Sequence, residues 1–356
     1  MKKMIVPVLA AILILSLFGC ESAQTFTGWT AKSDMLTPRE QFQTQAVNGK
    51  IYVLGGLDQY SNSLSSVEEY DTETNRWTPK ASMSTPRADL QTQVINGKIY
   101  AMGGWNNTAN NSQNTINQLS SVEEYDPATG VWTKKPSMSV TRSIFLTETV
   151  GGKIYAMGGT GSGNTVEAYD PAANTWTVKA PMLATGSAYN SQTEVIEGKI
   201  YVIGGTVEIY DPTTDTWSRK ASMPESRYKF QVQAIKGKIY ALGGVDANGH
   251  VLSSVEEYSP ETDKWTAKSP MAQQRMEFQT EVVGEKIYAF GGSDEKGALS
   301  SSEEYDPAAD KWTEKSSMIT PRNWFQIKAV DGKIYALGGW SNGKAVPSVE
   351  VYTPSI

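Results

Sequence analysis

A pair of adjacent glycines closes an almost unchanged run of residues seven times along this chain, and that recurrence limits the fold more than any other feature. The first copy reads Gly49-Lys50-Ile51-Tyr52-Val53-Leu54-Gly55-Gly56. Later copies end in Gly103-Gly104, Gly158-Gly159, Gly204-Gly205, Gly243-Gly244, Gly291-Gly292 and Gly338-Gly339. They return roughly every 40 to 55 residues, the length of one supersecondary unit. The repeat uses up the 356 residues so fully that no block is left over for a second domain.

Four segments make up each copy. In the first they are the alternating run Phe42-Gln43-Thr44-Gln45-Ala46-Val47, the Lys-Ile-Tyr run, Val67-Glu68-Glu69-Tyr70, and a stretch from Trp77 towards Met83. All are short, rich in β-branched and aromatic residues and bounded by turn residues, which is the pattern of strands. No stretch after the leader sustains a helical period. The first two segments are joined by Asn48-Gly49, Asn96-Gly97, Gly151-Gly152, Lys236-Gly237 or Asp331-Gly332, pairs that favour the positive φ of a tight hairpin. The last two are joined by turns such as Asp126-Pro127-Ala128-Thr129-Gly130. Their fifth position is Asn75, Gly130, Asn174, Asp215, Asp263 or Asp310, types that tolerate a left-handed backbone.

A four-stranded antiparallel unit of this length, with Gly-Gly, Tyr and Trp at fixed places, resembles the kelch repeat from about Thr27 to Tyr352. The resemblance implies an all-β, seven-bladed β-propeller forming a single domain over residues 27–356. The physics agrees, because one such sheet cannot bury both faces alone and stacking around an axis buries them. Glycines without Cβ let a neighbouring backbone or ring approach closely, and Tyr70, Trp77 and their equivalents are expected between blades. The last copy, Phe325 to Tyr352, lacks a fourth strand. Trp29-Thr30-Ala31-Lys32-Ser33-Asp34-Met35 matches Trp77-Thr78-Pro79-Lys80-Ala81-Ser82-Met83 in type, so residues 27–33 are expected to complete the last blade and remove an exposed edge.

Residues 1–19 read as a signal peptide: two lysines precede an apolar run from Ile5 to Phe18 that is short for a membrane span and interrupted by Pro7. Leu17-Phe18-Gly19-Cys20 resembles a bacterial lipobox, which implies cleavage before Cys20 and lipidation of its thiol. The alternative is an ordinary signal peptide with a chance cysteine. On the first reading residues 20–26 are a lipid-anchored tether, and the protein is exported and held at the membrane of the cell envelope. The net charge is −6, and losing Lys2 and Lys3 with the leader brings it to about −8, which argues against a nucleic-acid surface. A single cysteine excludes internal disulfides. A single histidine, His250, excludes a metal site built from several His or Cys ligands, so neither metal nor cofactor is expected, although a carboxylate-only ion site stays open.

Alternating strand directions put the first–second and third–fourth turns on one face and the other connections on the opposite face. The first set is short and uniform. The second ranges from the long blade 2 loop, Trp105 to Leu119, to the bare Gly205-Thr206 of blade 4, and loops that vary on a repeated scaffold are where binding concentrates. Trp105, Trp340 and His250 lie in these loops. Arg39, Arg87, Arg142, Arg227, Arg275 and Arg322 open the innermost strand in six blades. They form either a positive ring for a carboxylate or acidic peptide, or a repeated structural contact to a neighbouring carboxylate. Departures from the repeat add Tyr189 and Asn190 in blade 4, Trp324 and Lys328 in blade 7, and Leu146 where other blades carry Gln43, Gln91, Gln192, Gln231, Gln279 or Gln326. Gln45, Gln93 and Gln233, with Glu148, Glu194 and Glu281, line the same strands and read first as inter-blade hydrogen bonders.

No nucleophile–base pair or phosphate loop appears. The expected function is a binding scaffold that presents its variable loops to a protein or glycan. Kelch propellers also include copper oxidases, whose histidines and cysteine this chain lacks, and sialic acid mutarotases. A mutarotase- or epimerase-like activity on acidic sugars, using Arg39, Arg142, Arg322 and Glu148 at the channel mouth, is the alternative and rests on fold analogy.

Overall fold

The computed structural model describes residues 28–107, 116–184 and 190–354. The leader, Cys20, the tether, Tyr189 and the middle of the blade 2 loop lie outside the described residues. Seven four-stranded antiparallel sheets form, and no α-helix occurs among the described residues. Blade 1 comprises Gln43–Val47, Lys50–Leu54, Val67–Asp71 and Arg76–Lys80, from the axis outwards. The innermost strands of successive blades touch all the way round, blade 7 to blade 1 included, so the ring is closed.

The turns take the conformations their residues favour. Asn48 and Gly49 have φ of 51° and 73°, both left-handed, as a tight hairpin demands. Asn75, Gly130, Asn174, Asp215, Asp263 and Asp310 all have positive φ. Where this residue is Asn or Asp its side chain also receives a bond from the preceding tyrosine: Tyr70 Oη donates to Asn75 Oδ1 at 2.7 Å and Tyr305 Oη to Asp310 Oδ1 at 2.6 Å. The glycine pair is required by crowding as well as by φ. A Cβ on Gly56 would lie 2.5 Å from the Glu40 carbonyl and 2.7 Å from Phe42 Cβ.

The core lies between blades. Each of seven apolar clusters joins two neighbours; in one, Phe42, Ile51 and Tyr70 of blade 1 pack on Tyr335, Leu337 and Val349 of blade 7. The outer tryptophans tie each blade to the one before, as when Trp77 Nε1 donates to the Ser33 carbonyl at 2.8 Å and Trp132 Nε1 to the Ala81 carbonyl at 2.7 Å.

Blade 7 is closed as the sequence predicts. Gly28–Lys32 pairs antiparallel with Val349–Thr353, Trp29 opposite Tyr352. Trp29 differs from its equivalents in turning inwards. It is buried, packs edge-on against Phe290 at 5.1 Å, and donates to Ser302 Oγ at 3.0 Å.

Candidate functional site

The six arginines take the structural alternative. Each side chain is fully buried, with 0% exposure, and forms an ion pair within its own blade. Arg87 is typical. Its Nη1 donates to the carbonyls of Gly103 and Ser121, both at 2.9 Å, and its Nη2 to Ser121 Oγ at 2.8 Å and Glu123 Oε1 at 2.9 Å. The arginine therefore clamps the Gly-Gly bend to the third strand. A ligand outside the ring cannot reach it, which corrects the reading of a positive ring at the mouth and removes the arginines that an acidic-sugar site would need. Arg227 is the loosest, 3.4 Å from Glu256 and 3.3 Å from Glu225.

What does face the mouth is the residue two before each inner-strand glutamine or leucine. Gln41, Asp89, Ile144, Lys229, Glu277 and Trp324 share one backbone state, with φ between 46° and 55°. Successive members are hydrogen-bonded around the opening: Asp89 N to Gln41 O at 3.2 Å, Ile144 N to Asp89 O at 3.4 Å, Glu277 N to Lys229 O at 3.3 Å, and Trp324 N to Glu277 O at 3.4 Å. Asn190, exposed, holds the equivalent place in blade 4. Left-handed φ at a non-glycine costs roughly 1–3 kcal/mol, and bulky or β-branched residues such as Trp324 and Ile144 are unusual there. The frame around them hardly varies, yet no two of these seven side chains are alike. That column was visible in the aligned repeats and escaped the reading of the sequence, apart from Asn190 and Trp324.

The rim encloses a cavity of about 440 Å³ lined by Trp324, Asp89, Gln43, Gln91, Gln279 and Gln326. Trp324 is 45% exposed and offers an apolar face beside these amides. Trp105, singled out from sequence, is half-buried and donates from Nε1 to Asp89 Oδ2 at 2.7 Å, fixing the blade 2 loop to the rim. Burial raises the Asp89 carboxyl above the usual carboxylate range, against that bond. Lys229 and Glu277 form an ion pair, and Asn323 Nδ2 donates to Glu277 Oε2 at 3.0 Å. Trp340 lies behind the rim in a two-residue ribbon with Lys344–Ala345, bridged to Asn323. His250 is exposed in the blade 5 loop, with Nδ1 3.0 Å from Asp246 Oδ2.

Deeper in the channel, three glutamines make the expected inter-blade bonds. Gln45, Gln93 and Gln233 each donate from Nε2 to the carbonyl and hydroxyl of Thr92, Thr147 and Thr280 in the next blade. The equivalent positions of the other blades carry Glu148, Glu194, Glu281 and Lys328. Burial lowers the Lys328 ammonium and raises the Glu281 carboxyl, and their mutual attraction opposes both shifts. The Glu194 carboxyl is pushed up to about 8 by burial and then by the charge of Glu148. A raised carboxyl stabilises the fold fully below its ordinary value, and that contribution is lost as pH rises through about 8. The melting temperature should therefore fall between pH 5 and pH 9, and Glu194→Gln should flatten the fall; an identical profile in the variant would refute the assignment.

A closed seven-bladed propeller with an invariant frame and a diversified rim is a repeat scaffold that carries its individuality on one face. The chain belongs to the kelch-repeat family: the KLHDC2/KLHL20/DRC7 Kelch-repeats domain matches residues 16–205, and the Kelch motif matches residues 188–224, 226–272, 274–319 and 329–355. Among solved structures it is similar to a fungal alcohol oxidase of the AA5 family in complex with copper, at a TM-score of 0.74 and 17% identity over 92% of this chain and 76% of that one. It is also similar to YjhT, at a TM-score of 0.58 and 17% identity over 90% of this chain and 97% of that one. At such identities the likeness concerns the fold alone. No curated protein sequence matches the chain.

Proposed function

We propose that the protein is an exported, membrane-anchored kelch scaffold that binds a protein or glycan ligand at the channel mouth. The observation that carries this reading is the rim: equivalent positions on one strained backbone ring, each with a different side chain and with an exposed indole among them. Strain kept at a diversified, solvent-facing position is most economically explained by contact with a ligand. An exposed tryptophan flanked by amides suits a sugar face or an apolar side chain equally.

The test is a glycan array with acidic and neutral sugars side by side, and, if it is blank, cross-linking on intact cells. Trp324→Ala is expected to weaken the captured ligand about tenfold or more, as central aromatic anchors do. Undiminished binding by that variant would move the site away from the mouth. Anchoring through Cys20 predicts that labelled palmitate enters the protein and that Cys20→Ser abolishes labelling and releases it from membranes. A tether of residues 20–26 spans roughly 20 Å and enters on the uniform face, so the rim would point away from the bilayer.

A further inference from the structure

On the uniform face, each blade sets the second-strand tyrosine opposite the middle residue of the third strand. In blades 1, 2, 5 and 6 that residue is Glu69, Glu124, Glu257 or Glu304. The carboxylate is a hub. Glu257 accepts from Tyr240 Oη at 2.7 Å and Lys238 Nζ at 2.6 Å, with Lys268 Nζ at 3.4 Å. Glu69 gathers Tyr52 Oη at 2.6 Å and both Lys50 and Lys80 at 3.1 Å. Blades 4 and 7 replace the hub by Ile209 and Val351, which are buried in apolar clusters.

Blade 3 carries the smallest replacement, buried like the other two in an apolar cluster. Ala168 stands opposite Tyr155, while the donors Tyr155, Lys153 and Lys179 are all retained. The alanine is short and supplies no acceptor to these donors. A cavity of about 510 Å³ opens between blades 3 and 4, lined by Tyr155, Lys153 and Lys179 and, from blade 4, by Lys199 and Glu197. The corresponding cavity at blade 5, which Glu257 lines, has about 360 Å³. Tyr155 Oη has no hydrogen-bond partner among the described residues. Among the described residues Lys153 has one ion-pair partner, Asp170 at 3.0 Å, where Lys50 has both Glu69 and Asp71. Lys179 reaches Asp215 at 3.8 Å and Lys199 reaches Asp211 at 3.3 Å. Two of those aspartates are held by further bonds: Asp170 Oδ1 accepts from the Ala172 and Ala173 amides of its own turn, and Asp215 Oδ1 from Tyr210 Oη and the Ala180 amide of blade 3. Of these aspartates, Asp211 lines the cavity.

We propose that this cavity is a binding site for a small monocarboxylate, whose carboxyl group takes the place that the Glu257 carboxyl holds in blade 5 and accepts from Tyr155 Oη, Lys153 Nζ and Lys179 Nζ. Four blades of the same chain show that this donor set suits a carboxylate. Glu197 and Asp211, which line the cavity, and Asp170 and Asp215, paired with two of its lysines, disfavour a ligand with a second negative charge. The site lies on the face opposite the rim and is independent of what the rim binds.

Melting curves in sodium acetate or propionate, against sodium chloride at matched ionic strength, test the proposal. The wild-type protein is expected to gain about 1–2 °C, saturating with carboxylate concentration, because a ligand bound only by the folded state raises its stability. Ala168→Glu supplies the hub covalently. It should melt higher than wild type in chloride and lose the acetate response. The double variant Lys153→Met/Lys179→Met removes two donors without filling the space and should also be unresponsive, which decides the matter if Ala168→Glu fails to fold. No response in the wild type, or a response undiminished in either folded variant, overturns the site.

Discussion

Arg87→Met should destabilise the propeller by about 3–5 kcal/mol, the cost of stranding one partner of a buried ion pair. Glu123 would remain buried, 3% exposed, with Ser84, whose amide lies 2.8 Å away, still donating to it. Two carbonyls of the Gly-Gly bend and third strand would also lose their donor. Urea unfolding monitored by tryptophan fluorescence reads the change, and a loss below about 1 kcal/mol would show that the clamp is dispensable. Replacing both partners by apolar residues of similar size should recover much of the loss, since such pairs seldom outperform good packing. Burial works against the Glu123 charge, but bonds from Arg87 and Ser84 outweigh it and hold the carboxyl below its ordinary value. The clamp's contribution is thus present above that ordinary value and lost as pH falls through the folded one.

Deleting residues 20–33 should have the larger effect. It uncovers Val349–Thr353 as an unpaired edge and removes Trp29 from the junction of blades 6 and 7. Trp29→Ala alone should cost about 3–5 kcal/mol, the range for a large buried aromatic. The full deletion should lower the melting temperature sharply and promote edge-to-edge association, visible as a shift in size-exclusion elution. A truncated chain that melted and eluted like the parent would mean that the ring closes by other contacts.

Most of the fold was legible because a propeller repeats its instructions. Asn48-Gly49, the prolines of the third–fourth turns, the glycine pairs and the stray Trp29 segment each name a local conformation, and seven copies make the message redundant. The arginines were harder. Their spacing was plain, but only the third dimension shows that Arg87 folds back onto Glu123 rather than out over the channel, because both residues recur from blade to blade and periodicity does not say which way a side chain turns. The rim was hidden for the opposite reason. Gln41, Asp89, Ile144, Lys229, Glu277 and Trp324 share no residue type, so a search for what recurs passes over them. The blade 3 cavity is an omission of the same sort: Ala168 becomes informative only beside Glu257.

The N-terminal segment does more than complete a sheet. It is the last strand added to the ring and the first residue stretch after residues 1–27, so any force arriving through the N-terminus acts on the outermost strand of blade 7. Five residue pairs hold that strand, from Gly28 opposite Thr353 to Lys32 opposite Val349. Under load the seam would peel before any other blade is disturbed, and with Trp29 withdrawn the neighbouring core would be opened to water. The seam of the ring and the strand that would take a load on the N-terminus therefore coincide, and such a load would be resisted as long as Trp29 stays seated against Phe290.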